Sequence, residues 1–109
     1  MLDRIGTLKS LRKAERPVFR AALERLEGSR RRMAKVNVGK LSAIVEEGSY
    51  VLVPGKVLGS GKMEKKLIVG ALDYSSEARK KIVSAGGEAL TLTEFIKRYS
   101  DKEGIRLVG

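Results

Sequence analysis

The chain of 109 residues contains no cysteine and no histidine. The first absence excludes disulfides and thiol nucleophiles. Together they exclude Cys/His zinc sites, and the second removes the commonest general base. A small secreted domain often carries disulfides, so their absence points to the cytoplasm. Aromatic residues make up only 5%. Phe19, Tyr50, Tyr74, Phe95 and Tyr99 are too scattered to build the closely spaced platform on which bases stack, and they read as core. No apolar run approaches the ~18 residues of a membrane-spanning helix. The start, MLDRIGTLKSLRK, has no uninterrupted apolar stretch of signal-peptide length. Ser75 and Ser76 have no histidine to activate them, and Asp73 and Glu77 read as acids at a helix start.

Positive charge is abundant. Lys and Arg number 23 against 13 Asp and Glu, a formal net charge of +10. That balance favours a polyanionic partner, nucleic acid first and an anionic membrane surface second. The charge is uneven: residues 1–40 carry +8 and residues 41–109 carry +2. The length suits a single domain over 1–109, with a basic helical and arginine-rich segment at 1–40 and a near-neutral α/β core at 41–109.

The densest basic stretch is SRRRMAKVNVGK at 29–40. Arg30, Arg31 and Arg32 cannot all be buried, and their rigid five-donor forks suit phosphate oxygens. Lys35-Val36-Asn37-Val38 alternates with the period of a half-buried strand, which tethers the arginines to ordered structure. The alternative is a solvated arginine run ahead of a strand.

Periodicity places the other elements. Leu2, Ile5, Leu8 and Leu11 predict an amphipathic helix, broken at Arg16-Pro17. A second helix follows, with Val18, Phe19, Ala21, Ala22, Leu23 and Leu26 as its apolar stripe and Gly28 as its stop. The pair reads as an N-terminal helical hairpin. Further on, the pattern predicts a strand at 34–38 and a helix at 40–47. A strand at 50–53 is cut by Pro54-Gly55, and another follows at 66–72. A helix at 77–85 comes next, then a strand at 89–92. Thr91 and Glu94 have capping-box spacing for a helix through Tyr99, and the last strand is at 105–108. The fold class is mixed α/β.

Gly55–Lys62 resembles a phosphate loop but fails in detail. Counting back from Gly61-Lys62, position 56 is lysine where glycine is needed, and Met63 replaces the magnesium-binding hydroxyl. The dinucleotide pattern fails at Glu64. Two readings remain: a hairpin-like connection that needs glycine dihedrals, or a loop whose N–H groups and Lys56, Lys62, Lys65 and Lys66 line a phosphate backbone. Arg79-Lys80-Lys81 reads as a solvated helix face or, less simply, as a further RNA contact.

VNVGKL at 36–41, VLVPGKVLG at 51–59 and AGGEALTL at 85–92, at this spacing, resemble the archaeal and eukaryotic large-subunit ribosomal protein "L eighteen-e" family. That family is related to ribosomal protein "L fifteen", and the likeness runs from about Pro17 onward. The resemblance implies irregular strand–strand–helix turns after the helical hairpin. It implies a structural constituent of the large ribosomal subunit, located in the cytoplasm, that binds rRNA and neighbouring ribosomal proteins. It implies no enzymatic activity, no cofactor, no small-molecule substrate and no membrane. Residue by residue, Arg30, Arg31, Arg32, Lys35, Asn37 and Lys40 match the basic motif, and Lys56 and Lys62 match the glycine-rich loop. These eight are the expected RNA-binding residues, with Asn37 a hydrogen-bonding partner or turn former. The rival readings are a free-standing RNA-binding regulator or chaperone outside the ribosome, and an enzyme acting on RNA or nucleotides.

Overall fold

The computed structural model of the protein describes residues 16–28 and 34–109. The expected helix over residues 2–13, and with it the hairpin, lies outside the described residues. So do Arg30, Arg31 and Arg32.

Helix α1 is Pro17–Gly28, with proline in the first turn where its missing N–H is harmless. Strand β1 is Ala34–Asn37, and helix α2 follows without a loop at Val38–Ile44. Strands β2 (Tyr50–Leu58) and β3 (Ile68–Tyr74) come next. Helix α3 is Ser76–Ser84, strand β4 is Glu88–Thr91, helix α4 is Leu92–Tyr99 and strand β5 is Arg106–Leu107.

The five strands form one sheet in which every pairing is parallel. The order is β1-β2-β3-β4, and β5 also pairs with β2. Since β3 lines one edge of β2, the other edge is shared. Arg106 and Leu107 lie beside Val51 and Leu52, while Ala34–Asn37 lie beside Gly55–Leu58.

One expectation is corrected here, and one of the two readings left open for Gly55–Lys62 falls. The strand at 50–53 is not cut by Pro54-Gly55; it continues to Leu58. The register against β3 shifts between Val53 and Lys56, a bulge that accommodates the missing proline N–H. And β2 and β3 are not joined by a hairpin-like turn. They are parallel, so residues 59–67 must travel back along the whole sheet, a crossover usually made by a helix. Here an extended segment does it.

Helices cover both sheet faces. Val36, Val51, Val53, Val57, Val69 and Ala71 face α2, α3 and the crossover, together with Leu41, Leu67 and Ile82. Leu52, Leu72 and Leu90 face α1 and α4, with Phe19, Leu92, Phe95 and Ile96. Two-sided burial explains why β2 and β3 read as nearly continuous apolar runs rather than alternating ones. The 16–28 helix, the first strand and the rest of the sheet are therefore one structure: α1 packs on β2, and β1 is hydrogen-bonded to it.

Candidate nucleic-acid interface

In a parallel sheet with helices on both faces, the carboxyl ends of the strands make the natural ligand-facing edge. The crossover starts at that edge, and two glycines of separate motifs meet there. Gly39, in the first turn of α2, lies against Gly61, and its N–H donates to the Ser60 carbonyl at 3.0 Å. A Cβ on Gly61 would stand 2.7 Å from the Gly39 Cα, and Gly61 has φ +89°. Only glycine meets both demands. Gly55 and Gly59 serve differently. A side chain on Gly55 would run into the Ala34 carbonyl of β1, and one on Gly59 would stand 2.7 Å from the Glu77 Cβ.

This contact sets two Gly-Lys pairs back to back. Lys40 and Lys62 leave neighbouring stretches of backbone, and both are exposed. Asn37 is exposed at the N-cap of α2, and its side chain makes no capping hydrogen bond, so its amide is not spent on the helix. Lys35 and Lys56 are cross-strand partners, so their side chains share a face. Lys35 is exposed. Lys56 is half-buried, and its ammonium lies 3.8 Å from the Asp73 carboxylate. The structure thus gathers five of the eight expected residues at one end of the sheet. Lys40 and Lys62 form one group on the crossover side, while Lys35, Asn37 and Lys56 alternate with Val36 and Val57 and so leave the opposite face of the same end.

Of the remaining basic residues of the crossover, Lys65 is engaged through its side chain, whereas Lys66 is tethered through its backbone only and its side chain is exposed. Lys65 Nζ donates to the Val45 carbonyl at 2.7 Å, closing the C-terminus of α2. The Lys66 N–H donates to Glu47 at 2.9 Å, and the Glu64 N–H to Ser42 Oγ at 3.1 Å. Lys65 and Lys66 therefore anchor the crossover to α2 and the turn after it.

Sequence reasoning missed Lys81. It lies in a helix-face run that reads as solvated, yet its Nζ donates to the Gly59 carbonyl at 2.6 Å and to the Gly61 carbonyl at 2.7 Å. The Glu77 carboxylate lies 3.1 Å away. The i, i+4 spacing of Glu77 and Lys81 was the only signal available, and it reports on the pair, not the loop. Arg79 stacks over Tyr74, 5.1 Å from the ring centre. Burial pushes the Tyr74 phenol well above its ordinary value, and its hydroxyl lies within hydrogen-bonding distance of the Val69 and Leu90 carbonyls.

Phe19, Tyr74 and Phe95 are buried in the core, as expected, and Tyr50 and Tyr99 pack partly buried against it. Tyr50, Phe95 and Tyr99 pack edge-on at 4.9 and 5.5 Å, on the α1/α4 side of the sheet. Among the described residues there is no cluster of potential metal ligands, and no helix is long and apolar enough to cross a membrane.

Residues 23–90 match the family model that describes ribosomal proteins 50S-L15, 50S-L18e and the 60S protein "L twenty-seven-A". A protein of Pyrobaculum aerophilum named "Large ribosomal subunit protein eL18" is 43% identical over 102 residues, covering 90% of this chain and 84% of the relative. The protein of that name from Archaeoglobus fulgidus is 43% identical over 96 residues, covering 88% and 82%. That from Methanopyrus kandleri is 44% identical over 97 residues, covering 84% and 76%.

Proposed function

Because the chain belongs to the ribosomal protein family of 50S-L15, 50S-L18e and their 60S counterpart, we propose that it is a structural constituent of the large ribosomal subunit that binds folded rRNA through the basic end of its sheet. Catalysis is no part of this reading. The work is charge neutralisation and shape fitting, with RNA met through phosphates and 2′-hydroxyls rather than base edges.

The observation that carries the proposal is the back-to-back seating of Gly39-Lys40 and Gly61-Lys62. Two segments far apart in sequence present their lysines from one rigid surface, which preorganises a phosphate site. Lys35 and Asn37, on the opposite face of the same end, carry the basic rim around the edge of β1, and the Asn37 amide, which does not cap α2, supplies a hydrogen bond there. Arg30, Arg31 and Arg32, which precede β1 in the chain, add three further phosphate contacts. Lys56 meets RNA as half of an ion pair, so it adds less net charge than its neighbours. The partners are large-subunit rRNA and adjacent ribosomal proteins, in the cytoplasm.

The test is the salt dependence of binding to a large-subunit rRNA transcript. With ~6–10 phosphate contacts, affinity falls by about 10³–10⁵ between 50 and 200 mM salt in DNA systems, and RNA follows the same direction. Replacing Arg30, Arg31 and Arg32 together by alanine should flatten that dependence while moving stability by only ~0.5 kcal/mol. A flat dependence for the unaltered protein overturns the reading.

A further inference from the structure

We propose that Lys81 is a positioning residue for the RNA-facing crossover: it holds the Gly59–Gly61 turn in its RNA-binding shape and does not itself meet phosphate. The inference rests on the proposed role in rRNA binding. A lysine ammonium has three N–H donors. In Lys81 two go to the Gly59 carbonyl at 2.6 Å and the Gly61 carbonyl at 2.7 Å, and the Glu77 carboxylate lies 3.1 Å away as its ion-pair partner. A phosphate oxygen would have to compete with these three oxygens for the ammonium. The same contacts tie α3 to the turn that leads into Lys62.

The turn needs such a tie. Residues 59–61 lie outside the strands, so their carbonyls lack a ladder partner. From the other side the turn is held by the Gly39-to-Ser60 hydrogen bond and by the contact of Gly39 with Gly61. Lys81 thus closes a clamp whose other jaw is α2. Since Gly61 and Lys62 are adjacent, the shape of the turn sets where the Lys62 ammonium points relative to Lys40. Arginine is a poor substitute, because a planar fork cannot aim its donors at three convergent oxygens as an ammonium does.

The experiment compares full-length Lys81→Met, Lys81→Arg and Lys62→Met with the unaltered protein, and adds Lys97→Met on α4 as a control for charge loss. Three quantities are read: affinity for a large-subunit rRNA transcript, the slope of log affinity against log salt, and amide exchange at residues 60–63. Lys81→Met should speed exchange at 60–63 and weaken binding on the order of tenfold, the cost of ordering the turn on binding, with the salt slope unchanged. Lys81→Arg should fall between Lys81→Met and the unaltered protein. Lys62→Met should lower the slope by about one phosphate contact, ~0.7–0.9. A lowered slope for Lys81→Met would mean that it touches phosphate directly and would overturn the assignment. So would unchanged exchange at 60–63, or a loss no greater than that of Lys97→Met. If the unaltered protein shows no salt-dependent binding, the rRNA reading fails. Exchange at 60–63 still decides whether Lys81 holds the turn.

Discussion

The two layers flanking the sheet are built on different principles. The α1/α4 layer meets the strands through large apolar side chains: Phe19, Leu92 and Phe95 are fully buried, and Tyr50, Phe95 and Tyr99 pack edge-on. Gly70 has no side chain because the Phe95 ring lies directly on it, 2.6 Å from where a Cβ would be. The α2/α3 layer has valines beneath, but its outer part is an extended crossover held by polar tethers from Ser42, Lys65 and Lys81. Apolar area is non-directional, so the first layer stabilises without fixing fine geometry. Hydrogen bonds are directional, so the second layer fixes the shape of a loop that has no ladder of its own. The first layer supplies stability, and the second shapes the crossover that carries Lys62 beside Lys40, while Lys35, Asn37 and Lys56 leave the strands themselves on the first side.

The largest effect should come from Phe95→Ala, which removes a fully buried ring and costs about 3–5 kcal/mol in a denaturant melt. If the layers divide the work as described, RNA affinity measured well below the new melting temperature stays unchanged. A binding loss there comparable to that of a crossover variant would break the comparison. Gly61→Ala should come next. A non-glycine residue at positive φ costs about 1–2 kcal/mol, and the contact with Gly39 adds to it. Unlike Phe95→Ala, this change should lower both the melt and RNA binding. A normal melt with normal binding would show that the turn relaxes without consequence. The smallest effect belongs to the capping box of α4, where Thr91→Ala should cost about 1 kcal/mol. The Thr91 N–H, and after it the Thr91 hydroxyl, hold the Glu94 carboxyl below its ordinary value. A carboxyl depressed in the folded state stabilises above its unfolded pKa and loses that contribution as pH falls through the folded one. Melts taken from pH 7 to pH 3 should therefore decline less steeply for Thr91→Ala than for the unaltered protein. The variant keeps the Thr91 N–H, so an unchanged acid limb would show that the hydroxyl contributes nothing to acid sensitivity.

Local chemistry was legible in the sequence. Thr91 and Glu94 form the capping box that their spacing predicts, and α4 ends at Tyr99 as expected. Pro17 and Gly28 bound α1, and the turn residues before α3 supply Ser75 as its cap. What escaped was non-local. Pro54-Gly55 is a strong turn signal, and only pairing with β1 and β3 on both sides carries β2 through it. A glycine-rich stretch of this length suits a turn as well as an extended crossover. The choice is made by Ser42, Glu47 and Lys81, which are distant in sequence. The same holds for the site. The residue types in VNVGKL and VLVPGKVLG pointed to a basic surface, but the seating of Gly39 on Gly61 that joins Lys40 to Lys62 was not readable from either segment. Helix α2 begins at Val38 rather than at residue 40, because Asn37 leaves β1 directly into the cap position.

The way partners share one edge of β2 has a consequence for a growing chain. The half of that edge at Gly55–Leu58 pairs with Ala34–Asn37, which have already been made when β2 appears. The half at Val51 and Leu52 waits for Arg106 and Leu107, and the Leu52 carbonyl waits for the Val108 N–H. Until then those groups form an open strand edge, the kind that captures other chains. The basic end of this edge thus has its partner strand made before β2, whereas the opposite end has none until β5 is synthesised.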